Sequence, residues 1–121
     1  MLTFISKSTH LSSLFCFLKT QTFPKIIAVS KTFPIENILP LIEHGHLDYG
    51  ENKVQEALDK WSDIKNQNNS IKLHLIGRLQ TNKVKFALRI FDYIHSLDSE
   101  KLANKISRSR LQGGIHFEFD Q

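Results

Sequence analysis

A chain of 121 residues, 40% hydrophobic and 23% charged, has the composition of one soluble globular domain with a real core. Its formal charge of +4 suits an anionic partner such as a phosphate-bearing ligand and does not demand nucleic acid. The single cysteine, Cys16, excludes an internal disulfide and fits a reducing, cytoplasmic compartment, and no apolar run approaches the ~20 residues that span a bilayer.

The first 25 residues contain no Asp, Glu or Arg but carry Lys7, Lys19 and Lys25. The apolar patch from Leu14 to Leu18 is too short for a secretory core, no small-residue cleavage site follows it, and the lack of Arg argues against a transit peptide. Leu11, Leu14, Phe15 and Leu18 fall at helical spacing, so the segment reads as a leading helix.

Ile26-Ile27-Ala28-Val29 is an unbroken apolar run ahead of Ser30-Lys31-Thr32, the pattern of a strand buried on both faces in a parallel sheet. A lysine at the carboxyl end of such a strand stands at the lip of a dry core. Desolvation lowers an amine from its usual pKa of about 10.4 and frees the lone pair that attacks aldehydes. The plain alternative is a solvated lysine that merely ends a strand.

Pro34 then suits a first helical turn, with Ile35, Ile38, Leu39 and Ile42 as the apolar stripe. Pro40 predicts a kink or two short turns rather than one clean helix, and Gly45 a stop. Leu47 to Tyr49 reads as a short strand running into Gly50-Glu51-Asn52. A strong helix follows, with Val54, Ala57, Leu58, Trp61 and Ile64 on one face and the pair Glu56/Lys60 on the other, solvated one. Beyond a polar loop, Ile71 to Ile76 is a strand closed by Gly77. Thr81 is the expected N-cap of a helix with Val84, Ala87 and Leu88 inward and Lys83, Lys85 and Arg89 outward. Tyr93 to Leu97 is a further strand. Asp98 is the expected cap of the next helix, with Leu97 and Leu102 as a hydrophobic staple. Ile115 to Phe119 alternates like one more strand.

Alternating short strands and helices mean a parallel sheet, either an open doubly wound one or part of an eight-fold barrel. In both, ligands bind at the carboxyl ends of the strands, where Lys31, Asn52, Gly77 and Ser96 fall.

Other constellations are weaker. Gly77 to Val84 has the spacing of a phosphate loop, but Asn82 replaces its second glycine and Val84 its hydroxyl, which argues against a nucleoside triphosphate. A simpler anion held by Arg78 and Lys83 and a merely solvated basic turn remain equal alternatives. His44, His46, His74 and His95 show no metal-ligand spacing. The basic residues Lys83, Lys85 and Arg89 lack an aromatic stacking platform, so a solvated helix face explains them better than nucleic acid. Tyr49 and Trp61 read as core or lining.

Four stretches in order, Ile27-Ala28-Val29-Ser30-Lys31-Thr32, Tyr49 to Ala57, His74 to Lys83 and Ile94-His95-Ser96-Leu97-Asp98, closely resemble the pyridoxal phosphate homeostasis proteins. These are single-domain pyridoxal-phosphate-binding proteins related to the alanine racemase barrel domain. The resemblance covers about residues 24 to 107 and implies an α/β fold, the first half of a (β/α)8 TIM-type barrel with parallel strands. A full barrel needs about 250 residues, so the chain reads as a truncated amino-terminal fragment. It divides into an atypical leading segment 1–25, a partial barrel 26–110 and a divergent tail 111–121.

The resemblance also implies pyridoxal 5′-phosphate as cofactor, with Lys31 in the position of the Schiff-base lysine. Asn52 matches the asparagine of the family's Gly-Glu-Asn loop, and His74 and Ser96 match positions at later strands. The implied role is carriage and homeostasis of vitamin B6 rather than catalysis, impaired by truncation. The expected partners are the cofactor and pyridoxal-phosphate-dependent apoenzymes, without nucleic acid or membrane, in a protein monomeric at full length. The alternatives are a racemase-type enzyme with His74 and Tyr49 as remote acid–base candidates, and a gene remnant without biochemical role.

Overall fold

The computed structural model describes residues 2–4 and 24–113. The expected leading helix around Leu11 to Leu18 and the tail strand lie outside these residues. Strand β1 (Leu2–Phe4) pairs with β2 (Ile26–Val29), and β3 (Asp48–Glu51), β4 (Lys72–Leu75) and β5 (Tyr93–Ile94) follow. All neighbours are parallel, and the spatial order is the sequence order. Helices α1 (Ile35–Glu43), α2 (Val54–Gln67), α3 (Val84–Ile90) and α4 (Glu100–Gly113) link or follow the strands.

A doubly wound sheet reverses its strand order and carries helices on both faces; a barrel does neither. Here Tyr49, Leu73 and Leu75 share one buried cluster with Ile38 of α1, Trp61 of α2, Val84 of α3 and Leu102 and Ile106 of α4. All four helices therefore cover the same face of an unreversed sheet, which is the winding of a barrel. Alternation sends Ile27, Asp48, Gly50 and His74 to the other face. A Cβ on Gly50 would stand 3.2 Å from both Ile27 and Ile76, which places these three together there.

Several local expectations are corrected. Helix α1 is one continuous element with Pro40 inside it. The missing Pro40 N–H forfeits only the bond to the Glu36 carbonyl, and Glu36 is exposed, so water replaces that bond. The helix closes in a Schellman turn: Gly45 N–H donates to the Ile42 carbonyl (2.9 Å), His46 N–H to that of Leu41 (3.2 Å), and Gly45 takes φ 87°. Thr81 is not a side-chain cap; it opens a 3-10 turn, Thr81–Lys83, that feeds α3. The cap of α4 is Ser99 rather than Asp98, its Oγ accepting from the Leu102 N–H (3.2 Å). That frame moves Leu97 and Leu102 off the staple positions, and Leu97 is exposed. Strand β5 is only two residues long, so Ser96 and Leu97 lie beyond it.

Candidate functional site

The carboxyl ends of β2 to β5 form one row. The register pairs Val29 with Gly50, Glu51 with Leu75 and Leu75 with Ile94. Carried one or two residues on, it sets Lys31, Asn52, Ile76 and His95 abreast. Lys31 is exposed, not desolvated as its strand led one to expect, so its amine is accessible rather than buried.

What is buried is the machinery that fixes the backbone around Lys31. The Glu51 side chain is fully buried, and its Oε1 accepts from Ser30 Oγ (2.8 Å), Lys60 Nζ (2.8 Å) and Trp61 Nε1 (2.9 Å). Lys60 Nζ also donates to the Ser30 carbonyl (2.9 Å) and lies 3.5 Å from Glu56. Glu56 Oε1 in turn accepts from the Thr32 N–H (2.9 Å). Ser30 and Thr32, the two neighbours of Lys31, are thus both tied to α2. Thr32 is held at φ 66°, a left-handed conformation rare for a β-branched residue. Lys60, expected on the solvated side of α2 with Glu56, instead has a side chain only 9% exposed and turns to the strand ends. The signal was its place next to Trp61, at the flank of the buried stripe and within one strand–turn–helix unit of Glu51.

Asn52 and Ser96 meet at Gly77. A Cβ on Gly77 would fall 2.4 Å from the Asn52 carbonyl oxygen, so only glycine admits this approach. Ser96 Oγ donates to the Gly77 carbonyl (2.5 Å). Asn52 Oδ1 is buried without a hydrogen-bond partner, a state that costs about 1–3 kcal/mol unless a ligand or water supplies a donor. An accessible amine on a fixed backbone and an unsatisfied amide oxygen in the next strand fit an aldehyde-bearing, hydrogen-bonding ring compound such as pyridoxal 5′-phosphate.

His74 lies one pleat behind this row. Both of its ring nitrogens are engaged by protein: Nε2 with Asp48 Oδ1 (2.8 Å) and Nδ1 with His95 Nε2 (2.9 Å). Its ring stacks on Tyr93, centroids 4.4 Å apart and 6° from parallel. Tyr49 is on the helix side, its hydroxyl donating to the His46 carbonyl (2.8 Å). Burial, and secondly the Asp48 charge, push its phenol far above the usual range, so Tyr49 keeps its proton. Asp48 feels burial, which raises its pKa. The hydrogen bond from His74 and the charges of Lys25, His74 and His46 outweigh that and hold the carboxyl below its ordinary value.

A carboxylate so lowered stabilises the fold fully above its unfolded-state pKa near 3.9, and this contribution fades as pH falls through the lower folded-state value. Asp48→Asn is therefore expected to lower the urea midpoint at pH 7 and to flatten its decline below about pH 4. Parallel pH profiles for the two proteins would contradict this.

The fold and these strand ends define a class: a singly wound parallel βα unit of the barrel type, with an accessible lysine at the carboxyl end of a central strand. Comparison with known proteins is more particular. The chain is similar to the pyridoxal phosphate homeostasis protein of Pasteurella multocida, with 38% identity over 92 residues, covering 76% of this chain and 40% of the relative. The protein of that name from Aquifex aeolicus is 42% identical over 91 residues, covering 75% and 39%. Among solved structures, PipY of Synechococcus elongatus with PLP bound superposes with a TM-score of 0.79 at 34% identity, covering 90% of this chain and 52% of that one. No protein-family model matches the chain. The resemblance carried by the four motifs is thus shown, and the chain spans about 40% of the length of the curated relatives it matches. The half-length match to PipY accords with half of a TIM-type barrel.

Proposed function

We propose that the chain binds pyridoxal 5′-phosphate as a Schiff base on Lys31 and serves vitamin B6 homeostasis as a carrier rather than as an enzyme. The observation that carries this reading is the clamped strand end: Ser30 and Thr32 are both tied to α2 while the amine between them stays exposed. The names of the relatives and the cofactor in PipY support it. Asn52 contributes a polar contact. Ser96 and His74 support the site through Gly77 and through the next strand rather than by direct contact with the cofactor. An imine keeps a reactive aldehyde captive and reversible, which is what a carrier for apoenzymes requires. We place this role in the cytoplasm and in a monomer at full length. Among the described residues no helix is long and apolar enough to cross a membrane.

The test is to mix the purified chain with pyridoxal phosphate, reduce with borohydride and map the adduct. Lys31 is expected to carry the label, and Lys31→Ala to remove at least nine-tenths of it (about a 1.4 kcal/mol preference or more over other lysines). A label spread evenly over surface lysines would refute the site. A chain spanning two-fifths of its relatives is further expected to bind more weakly than a full-length one; equal affinity would contradict the impairment.

A further inference from the structure

We propose that the cavity between the first turn of α2 and the loop after β4 is a binding site for a small phosphate-class dianion, held by Lys53, Arg78 and Lys83. The inference goes beyond the Lys31 reading and does not rest on it.

The cavity measures about 270 Å³, and its polar walls are Asn52, Lys53, Gln55, Arg78, Gln80 and Lys83. Three of these are cations and three are amides, and no carboxylate is among the described residues that line it. Two consecutive βα units supply them. The register pairs Glu51 with Leu75, so the turns that leave β3 and β4 start abreast at the carboxyl ends of the strands, where such folds bind ligands. The close approach of Asn52 to Gly77 joins the two turns. Spacing alone leaves a simple anion and a solvated basic turn as equal readings of Arg78 and Lys83. A cavity that they share with Lys53 and Gln55 of the preceding unit decides for the anion.

Charge and size select the ligand. Arg78 Nε lies 3.6 Å from Asp98, but the two side chains are 86% and 51% exposed, so water screens the pair. Lys83 Nζ stands 5.8 Å from the Phe86 ring centroid, a contact that leaves its charge uncompensated. Gln55 Nε2 engages Asp59 Oδ1 (3.0 Å), one turn further along α2. Lys53 is the N-cap of α2 and makes no side-chain cap bond. The first N–H groups of that helix, which have no partner within it, therefore add the positive end of its dipole. Three cations around one space repel one another, and a dianion offsets twice the charge that a monovalent ion does. The volume is just under the about 300–1,000 Å³ of drug-sized ligand sites. It takes a phosphate group with a small substituent rather than a nucleoside triphosphate, as Asn82 and Val84 in the Gly77 to Val84 loop already argue. Lys31 is not among the walls, and the anion is a ligand separate from the aldehyde at that lysine. A second basic groove, with Lys101, Lys105 and Arg108 of α4, has Glu100 in its wall and no strand-end residue; it supplies the control.

The test is a nitrogen-15 NMR titration of the whole chain with inorganic phosphate at constant ionic strength, sodium chloride making up the balance. The amides of Val54, Gln55 and Lys83 are expected to shift together along one saturable curve. Arg78→Gln/Lys83→Gln is expected to weaken binding by about tenfold or more. Lys101→Gln/Lys105→Gln, which removes the same charge from the other groove, is expected to weaken it by less than about twofold. No saturable shift, the same shifts from chloride alone, or equal weakening by the two double variants would overturn the site. The dispersion of the same spectra reports whether each variant is folded. A second arm repeats the titration on the chain carrying the borohydride-reduced Lys31 adduct. Unchanged phosphate affinity is expected there, and its loss would overturn the proposal by assigning the cavity to the cofactor. A wild type that takes no label at Lys31 would sink the carrier reading, while the first titration still decides this one.

Discussion

Lys60→Met is expected to destabilise the fold by about 3–5 kcal/mol, because it strands a buried charge. Lys60 Nζ lies 2.8 Å from Glu51 Oε1, and the Glu51 side chain has no solvent exposure to fall back on. Removing the cation also leaves the Ser30 carbonyl without its 2.9 Å donor. Charge, more than packing, sets the magnitude, since methionine retains most of the aliphatic stem. The double variant Glu51→Gln/Lys60→Met separates the two terms. Glutamine keeps an oxygen for Ser30 and Trp61 and carries no charge, so the pair is expected to recover most of the loss. Urea unfolding of the four proteins of this cycle is the measurement. A Lys60→Met protein within about 1 kcal/mol of wild type, the range of an exposed pair, would show that the ion pair is solvated.

The second large effect is expected from Gly77→Ala. The new methyl would sit 2.4 Å from the Asn52 carbonyl oxygen, 2.7 Å from its Cβ and 2.8 Å from its Cα. These are backbone atoms or lie next to backbone and cannot turn aside, so the ends of β3 and β4 must separate. Overpacking of this kind costs about 1–3 kcal/mol, and more where backbone must move. It also displaces Asn52 and the Gly77 carbonyl that Ser96 holds. Gly50→Ala is the control: its methyl would meet only side-chain methyls, Ile27 Cγ2 and Ile76 Cδ1 at 3.2 Å and Ile76 Cγ2 at 3.6 Å, and is expected to cost less than Gly77→Ala, about 1 kcal/mol. Denaturant midpoints decide between them, and similar losses at the two glycines would contradict the close-approach account.

Local pattern made the elements of this fold legible. The unbroken run at Ile26 to Val29 is a central parallel strand, and the stripe Val54, Ala57, Trp61 is the buried face of α2. The strand–helix alternation set Lys31, Asn52, Gly77 and Ser96 at strand ends and the family resemblance implied the barrel, whereas the close approach of Asn52 to Gly77 was not legible. Properties set by partners distant in sequence were not legible. Lys60 forms a good i, i+4 pair with Glu56 on paper, yet Glu51 at the end of β3 and Ser30 just past β2 draw it inward. In the sequence His95 offers itself only as a metal ligand or as part of a motif, because its contact with His74 joins neighbouring strands. The cap of α4 was misplaced for a smaller reason: Asp98 and Ser99 are adjacent residues of nearly equal N-cap preference. Thr81 fails as a cap because a 3-10 turn, Thr81–Lys83, comes before α3.

The backbone of Thr32 ties the strand end that carries Lys31 to the seating of a helix. A threonine at φ 66° sits uphill by about 1–3 kcal/mol; a turn closed by Phe33 N–H on the Ser30 carbonyl (3.2 Å) and the carboxylate of Glu56, in the first turn of α2, both hold it there. Displacing α2 would part the Glu56 tether and take from the backbone beside Lys31 one of the two bonds that fix its course.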